Sequence, residues 1–131
     1  MKNLIIDLDG TLTIDSNAPY SEKLINVEVL EQLRSYKEKD FKITISTSRN
    51  MRTYEGNIGK INIHTLPTIL EWLDKHEVPY DEIVVGKPWC GFDGFYVDDK
   101  SIRPSEFASM SYKEIQELLA KENPHKDGGN R

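Results

Sequence analysis

The chain has 131 residues, with 22 acidic against 17 basic side chains and a net charge of −5. That length suits one domain, and 37% hydrophobic with 30% charged residues is a globular composition rather than a disordered or fibrous one. The mild acidity argues against nucleic acid or an anionic membrane as partner, and the lone Cys90 excludes an intrachain disulfide or a cysteine-based zinc site.

The opening stretch, MKNLIIDLDG, reaches Asp7 after the short apolar run Leu4-Ile5-Ile6. It is too short for a signal peptide or a membrane span, so a cytoplasmic setting is expected. Three more short apolar runs follow: Phe41 to Ile45, Ile83-Val84-Val85 and Phe95-Tyr96-Val97. All four read as buried strands, being too short for helices and mostly rich in β-branched or aromatic residues. The alternation in Phe41-Lys42-Ile43-Thr44-Ile45 suggests a more polar face, or a place nearer the sheet edge.

Helices are expected between the strands. Asn26 is a cap for a helix with the stripe Val29, Leu30, Leu33 and Tyr36. Thr65-Leu66-Pro67 reads as a helix start, with Leu66, Ile69, Leu70 and Leu73 on one face. Ser111 and Glu114 have capping-box spacing ahead of Ile115, Leu118 and Leu119. Strands alternating with helices predict an α/β fold: a three-layer, Rossmann-like domain with a central parallel sheet. The domain is expected to span 1–122, followed by a frayed tail at 123–131, with Pro124 stopping the preceding helix.

Each apolar run ends in a polar group. These are Asp7-Leu8-Asp9-Gly10-Thr11, Ser46-Thr47-Ser48-Arg49, Gly86-Lys87-Pro88 and Asp98-Asp99-Lys100. Open parallel sheets bind ligands beyond the carboxyl ends of their strands, so the four groups are expected to converge. Four carboxylates brought together repel one another unless a cation sits among them, and all-oxygen ligation suits Mg²⁺. A hydroxyl from Thr47 and the ammonium of Lys87 supply donors for a phosphoryl group, and Asp7 has the chemistry of a nucleophile that forms an aspartyl-phosphate. The histidines His64, His76 and His125 are scattered and match no zinc-ligand spacing.

The ordered motifs DLDGT, ISTS, VGKP and YVDD resemble those of the haloacid dehalogenase superfamily of phosphohydrolases. The resemblance implies Asp7 as nucleophile, Asp9 as general acid/base, Thr47 as the phosphate-binding hydroxyl and Lys87 as the lysine that steadies nucleophile and phosphoryl oxygens. It implies Asp98 as a Mg²⁺ ligand with Asp99 assisting, joined by Asp7 and by the backbone carbonyl of Asp9. Thr47 is preferred over Ser46 and Ser48 because Thr47-Ser48-Arg49 is similar to the family's Thr-Gly-Arg pattern. Gly10, Thr11, Ser48, Arg49 and Arg52 are the candidates for substrate contact.

Members with larger chains carry a cap domain. Here Leu12 to Ile25 holds only a flap, and the stretch from Arg49 to Pro79 is read as one polar loop, Arg49 to Lys60, and one helix. Neither suffices for a folded cap. The site is therefore expected to be open, accepting a bulky substrate or being completed by a second copy of the chain, and the expected partner is a small phosphorylated metabolite. Trp89 is read as packing beneath the active-site loop, with an apolar wall or stacking on a sugar ring as the alternative. Nothing in the sequence provides a base for Cys90, and Tyr20 is a flap candidate for substrate contact.

TSRNMRTYEGN, KINIHTLP and VGKPWCG are similar to small phosphatases of capsule or surface-polysaccharide synthesis, which implies a phosphorylated sugar, polyol or related precursor. A phosphotransferase or mutase, and a noncatalytic phosphate-binding module, are the alternatives. A response-regulator receiver places its acid pair after the first strand, whereas here the pair comes last.

Overall fold

Strand β1, Lys2–Asp7, begins the fold and pairs in parallel with β2, Phe41–Thr47, which pairs in parallel with β3, Glu82–Val85. The computed structural model describes residues 2–124. Among these, the sheet has three strands in the order β1-β2-β3. The described residues form two compact units, one running to Trp89 and the other starting at Cys90.

In the first unit, β2 is the middle strand and alternates strictly between buried and half-buried residues. Its alternation therefore marks one buried face, not a place near the edge. Phe41, Ile43, Ile45 and Thr47 lie on that face, in register with Ile6 of β1 and with Ile83 and Val85 of β3. The opposite face carries Ile5 and Val84, which are exposed. The expectation of fully buried strands is thus corrected for β1 and β3, whose outer-facing residues have no covering layer within this unit.

Crossovers supply the buried face with its cover. Helix α1, Val27–Glu38, starts where the Asn26 side chain accepts from Val29 N–H, and its stripe Val29, Leu30, Leu33 and Tyr36 is buried. Tyr36 meets Phe41 edge-on, with ring centroids 5.0 Å apart. Helices α2, Ile58–His64, and α3, Leu66–Lys75, fill the connection to β3, with Ile61, Ile69, Trp72 and Leu73 buried. Leu70, expected on the buried face of α3, is instead exposed.

Helix α2 stands partly where a polar loop running to Lys60 was expected. Asn57 starts it as Asn26 starts α1, its side chain accepting from Lys60 N–H at 3.1 Å. Between β2 and β3 the chain therefore builds helices of the same unit and no inserted cap.

The flap is small and closed on itself. Thr13 and Ile25 form an antiparallel bridge, Ile14 N–H donates to Leu24 C=O, and a single 3₁₀ turn spans Tyr20–Glu22. Trp72 of α3 ties the flap down by donating its indole N–H to Lys23 C=O at 2.8 Å. The Lys23 ammonium in turn donates to Ser16 C=O at 2.6 Å.

The second unit contains α4, Pro104–Ser109, and α5, Tyr112–Glu122. The expected capping box is present: Ser111 Oγ accepts from Glu114 N–H, and Glu114 Oε1 accepts from Ser111 N–H. Phe107 and Ile115 are buried. The fourth expected strand is absent among the described residues. Phe95-Tyr96-Val97 is irregular, with Phe95 79% and Val97 88% exposed. Ahead of it Gly91 adopts positive φ and Phe92-Asp93 form a bend. Of the expected tail, residues 125–131 lie outside the described region.

Candidate active site

The carboxyl ends of the three strands bring one set of polar side chains together. Asp7 ends β1 opposite Ser46, Thr47 ends β2 opposite Val85, and Lys87 N–H extends the ladder by donating to Thr47 C=O at 3.1 Å. Three of the four polar groups expected at one sheet edge belong to this unit.

Asp7 is followed by a tight turn that Gly10 makes possible, with φ +81° and open space where a Cβ would stand. The turn folds back so that Thr11 Oγ1 donates to Asp7 Oδ2 at 3.2 Å, while Gly10 N–H donates to Thr13 Oγ1. Lys87 Nζ donates to Asp7 Oδ1 at 3.5 Å. Burial raises the Asp7 carboxyl above the ordinary carboxylate value. The charge of Lys87 opposes this, as do hydrogen bonds from Thr11, Lys87 and the Leu8 N–H. Asp7 is thus a partly desolvated carboxylate with one cationic neighbour.

Asp9 has a different partner. Arg49 Nε donates to Asp9 Oδ2 at 3.0 Å and Arg49 Nη2 donates to Asp9 Oδ1 at 2.8 Å, a bidentate pair. The Arg49 side chain is 1% exposed and that of Asp9 33%. The Tyr20 ring lies over the guanidinium, 4.0 Å from its central carbon to the ring centroid. Arg49 Nη1 is buried and has no hydrogen-bond partner.

Thr47 faces the buried side of β2, and its Oγ1 accepts the Arg49 N–H at 3.1 Å, which leaves its own O–H as a donor. Ser46 and Ser48 are half-buried on either side. Arg52 is exposed in the turns after β2.

Asp98 and Asp99 belong to the second unit. Asp98 is exposed and Oδ1 accepts from Lys100 N–H at 3.0 Å, while Asp99 Oδ2 accepts from Asn123 Nδ2 at 2.7 Å. Both line a cleft with Ser101, Glu106 and Glu122. Among the described residues, no group of three or more His, Cys, Asp or Glu side chains stands ready to hold a metal ion.

Sequence reasoning named Arg49 but assigned it to substrate. It missed the pairing with Asp9 and the Tyr20 contact. The signal was positional: Asp9 lies two residues beyond the end of β1, and Arg49 two beyond the end of β2. Only the parallel register sets those positions side by side.

A family model described as haloacid dehalogenase-like hydrolase matches residues 4–126. The chain belongs to the haloacid dehalogenase-like hydrolases. It is 66% identical to a target protein from Vibrio cholerae whose crystal structure superposes with a TM-score of 0.91, covering 93% of this chain and 99% of that one. It shares a fold with part of a chain in the Pnkp1/Rnl/Hen1 complex, at 23% identity and a TM-score of 0.50, covering 82% of this hydrolase and 33% of that chain. No curated protein matches it. No helix of the described residues is long and apolar enough to cross a membrane.

Proposed function

We propose that this hydrolase is a Mg²⁺-dependent phosphomonoesterase that works through an aspartyl-phosphate on Asp7. The observation that carries the reading is the environment of Asp7: a partly buried carboxylate at a strand end, held by Thr11 and Lys87, with a second acid two residues further on. A binding module needs neither a desolvated nucleophile nor a neighbouring acid.

In the first step an Asp7 oxygen attacks phosphorus and the bond to the leaving alcohol breaks, with Asp9 giving its proton to the departing oxygen. In the second, Asp9 takes a proton from water as that water attacks phosphorus, and Asp7 is released. Lys87 steadies the nucleophile and the charge on the equatorial oxygens, and the Thr47 hydroxyl donates to the phosphate. Gly10, Thr11, Ser48, Arg49 and Arg52 are proposed to line the phosphate and its entrance.

The residues fit a hard divalent cation. Asp7 offers a carboxylate oxygen whose burial Lys87 and a few hydrogen bonds offset, and the family resemblance implies Asp98 and Asp99 as further oxygen donors. Bound there, Mg²⁺ supplies charge neutralisation for the phosphoryl oxygens.

The substrate is proposed to be a phosphorylated sugar, polyol or related small metabolite in a cytoplasmic pathway of capsule or surface-polysaccharide synthesis. The support is the similarity of TSRNMRTYEGN, KINIHTLP and VGKPWCG noted above, together with the absence of an inserted cap. Free-phosphate detection over a panel of phosphorylated sugars, polyols and nucleotide sugars tests the reading. Release from a sugar or polyol phosphate that is lost with EDTA and restored by Mg²⁺ supports it, and no release from any member of the panel contradicts it.

A further inference from the structure

We propose that Arg49 is a positioning residue for Asp9 and that Tyr20 is its cover, so that the flap sets the aim of the group that moves the proton. This deepens the phosphatase reading and rests on it. The first chemical step moves a proton from Asp9 to the leaving oxygen, and the second moves one from water to Asp9. Both need the same carboxyl held over the same phosphorus.

Asp9 sits in a glycine turn and is one-third exposed, so on its own it would sample several rotamers. The two hydrogen bonds from Arg49 remove that freedom. They use one lone-pair direction on each oxygen, since a carboxylate offers about four, and the others stay available to a proton.

Arg49 is in turn held at its backbone, its stem and the face of its guanidinium, while Nη1 has no hydrogen-bond partner. Its backbone N–H is held by Thr47 Oγ1, its stem is buried, and the Tyr20 ring covers the guanidinium face. Tyr20 belongs to the flap turn, which the Thr13–Ile25 bridge closes and the Trp72 indole pins through Lys23. A continuous line of contacts thus runs from α3 through the flap to Asp9. With Nε and Nη2 both engaged by Asp9, the guanidinium is aimed chiefly at the acid and only secondarily at substrate. Lysine would not substitute, because a point charge cannot fix the plane of a carboxylate as a planar fork does.

The test measures kcat and KM with Mg²⁺ for a series of substituted phenyl phosphates and for one alkyl phosphate. The enzymes are wild type, R49M, D9N, the D9N/R49M double variant and Y20L. Because kcat/KM reports the steps up to departure of the alcohol, it isolates the proton transfer to the leaving group. R49M is expected to lose about 100-fold in kcat/KM on the alkyl phosphate but less than about tenfold on p-nitrophenyl phosphate, whose leaving group needs little protonation. Its kcat falls more than its KM rises. In the D9N background the same substitution changes kcat/KM by no more than about threefold, since the two residues act as one unit. Y20L steepens the dependence on leaving group in the same direction, to a smaller extent.

An equal loss for every leaving group, full multiplication with the D9N loss, or a raised KM with kcat kept would overturn the proposal. Should R49M fail to fold, Y20L carries the test alone, and a loss there that ignores the leaving group overturns it equally. A wild type that releases no phosphate from any of these probes ends the phosphatase reading and this inference together. An active wild type with a flat R49M effect ends the inference only.

Discussion

Two aspartates two residues apart have been given opposite surroundings. Asp7 is raised toward its neutral form by burial, while Asp9 lies in a bidentate pair with a buried guanidinium. Replacing Asp7 with Asn is expected to lower Mg²⁺-dependent turnover by at least about 1,000-fold, as for loss of a covalent nucleophile. The same variant tests the electrostatics without any substrate. A carboxyl whose value is raised on folding disfavours the folded state above that value, and the penalty fades as pH falls through it toward the unfolded value. In EDTA, D7N should therefore melt above wild type at neutral pH, and the difference should close as the pH is lowered toward roughly 4. A D7N variant that melts below wild type at neutral pH would contradict the burial argument. The strand-end positions of Asp7, Asp9, Thr47 and Lys87 were legible because each ends or closely follows an apolar run. The Arg49–Asp9 pair was not, because it depends on which strands are neighbours, and apolar patterning carries no strand order.

At the scale of elements, the strand-end loop that carries Lys87 depends on a close approach. Gly86 has φ +86°, and a Cβ there would collide with Ile58 Cδ1 at the start of α2. Gly86→Ala should destabilise the fold by roughly 1–2 kcal/mol, chiefly through the unfavourable left-handed backbone, with a smaller packing part because the half-exposed Ile58 side chain can shift. Adding Ile58→Ala should recover the packing part only, and chemical denaturation of both variants measures the split. In the second unit, Ser111→Ala removes half of a reciprocal cap and should cost about 1 kcal/mol by the same measurement. Helix α2 was missed although Asn57 is the same kind of cap as Asn26. Its single buried residue, Ile61, leaves too little periodicity to notice in a short helix. Phe95-Tyr96-Val97 is the opposite case, strand-like in composition yet irregular.

For the whole molecule, 131 residues suffice for the α/β unit, a closed flap and the two C-terminal helices, with no inserted cap between β2 and β3. With no inserted cap between β2 and β3, we propose that substrate selection falls to the flap around Tyr20 and to the turns after Arg49. The family was legible in the order of the motifs, because phosphoryl transfer asks mainly for charge and position at strand ends, and those residues are local in sequence. The most direct test of the account is free-phosphate release from a sugar or polyol phosphate by wild type and D7N, each with Mg²⁺ and with EDTA. The account predicts turnover only for wild type with Mg²⁺. Near-normal release by D7N, or release that survives chelation, would contradict it.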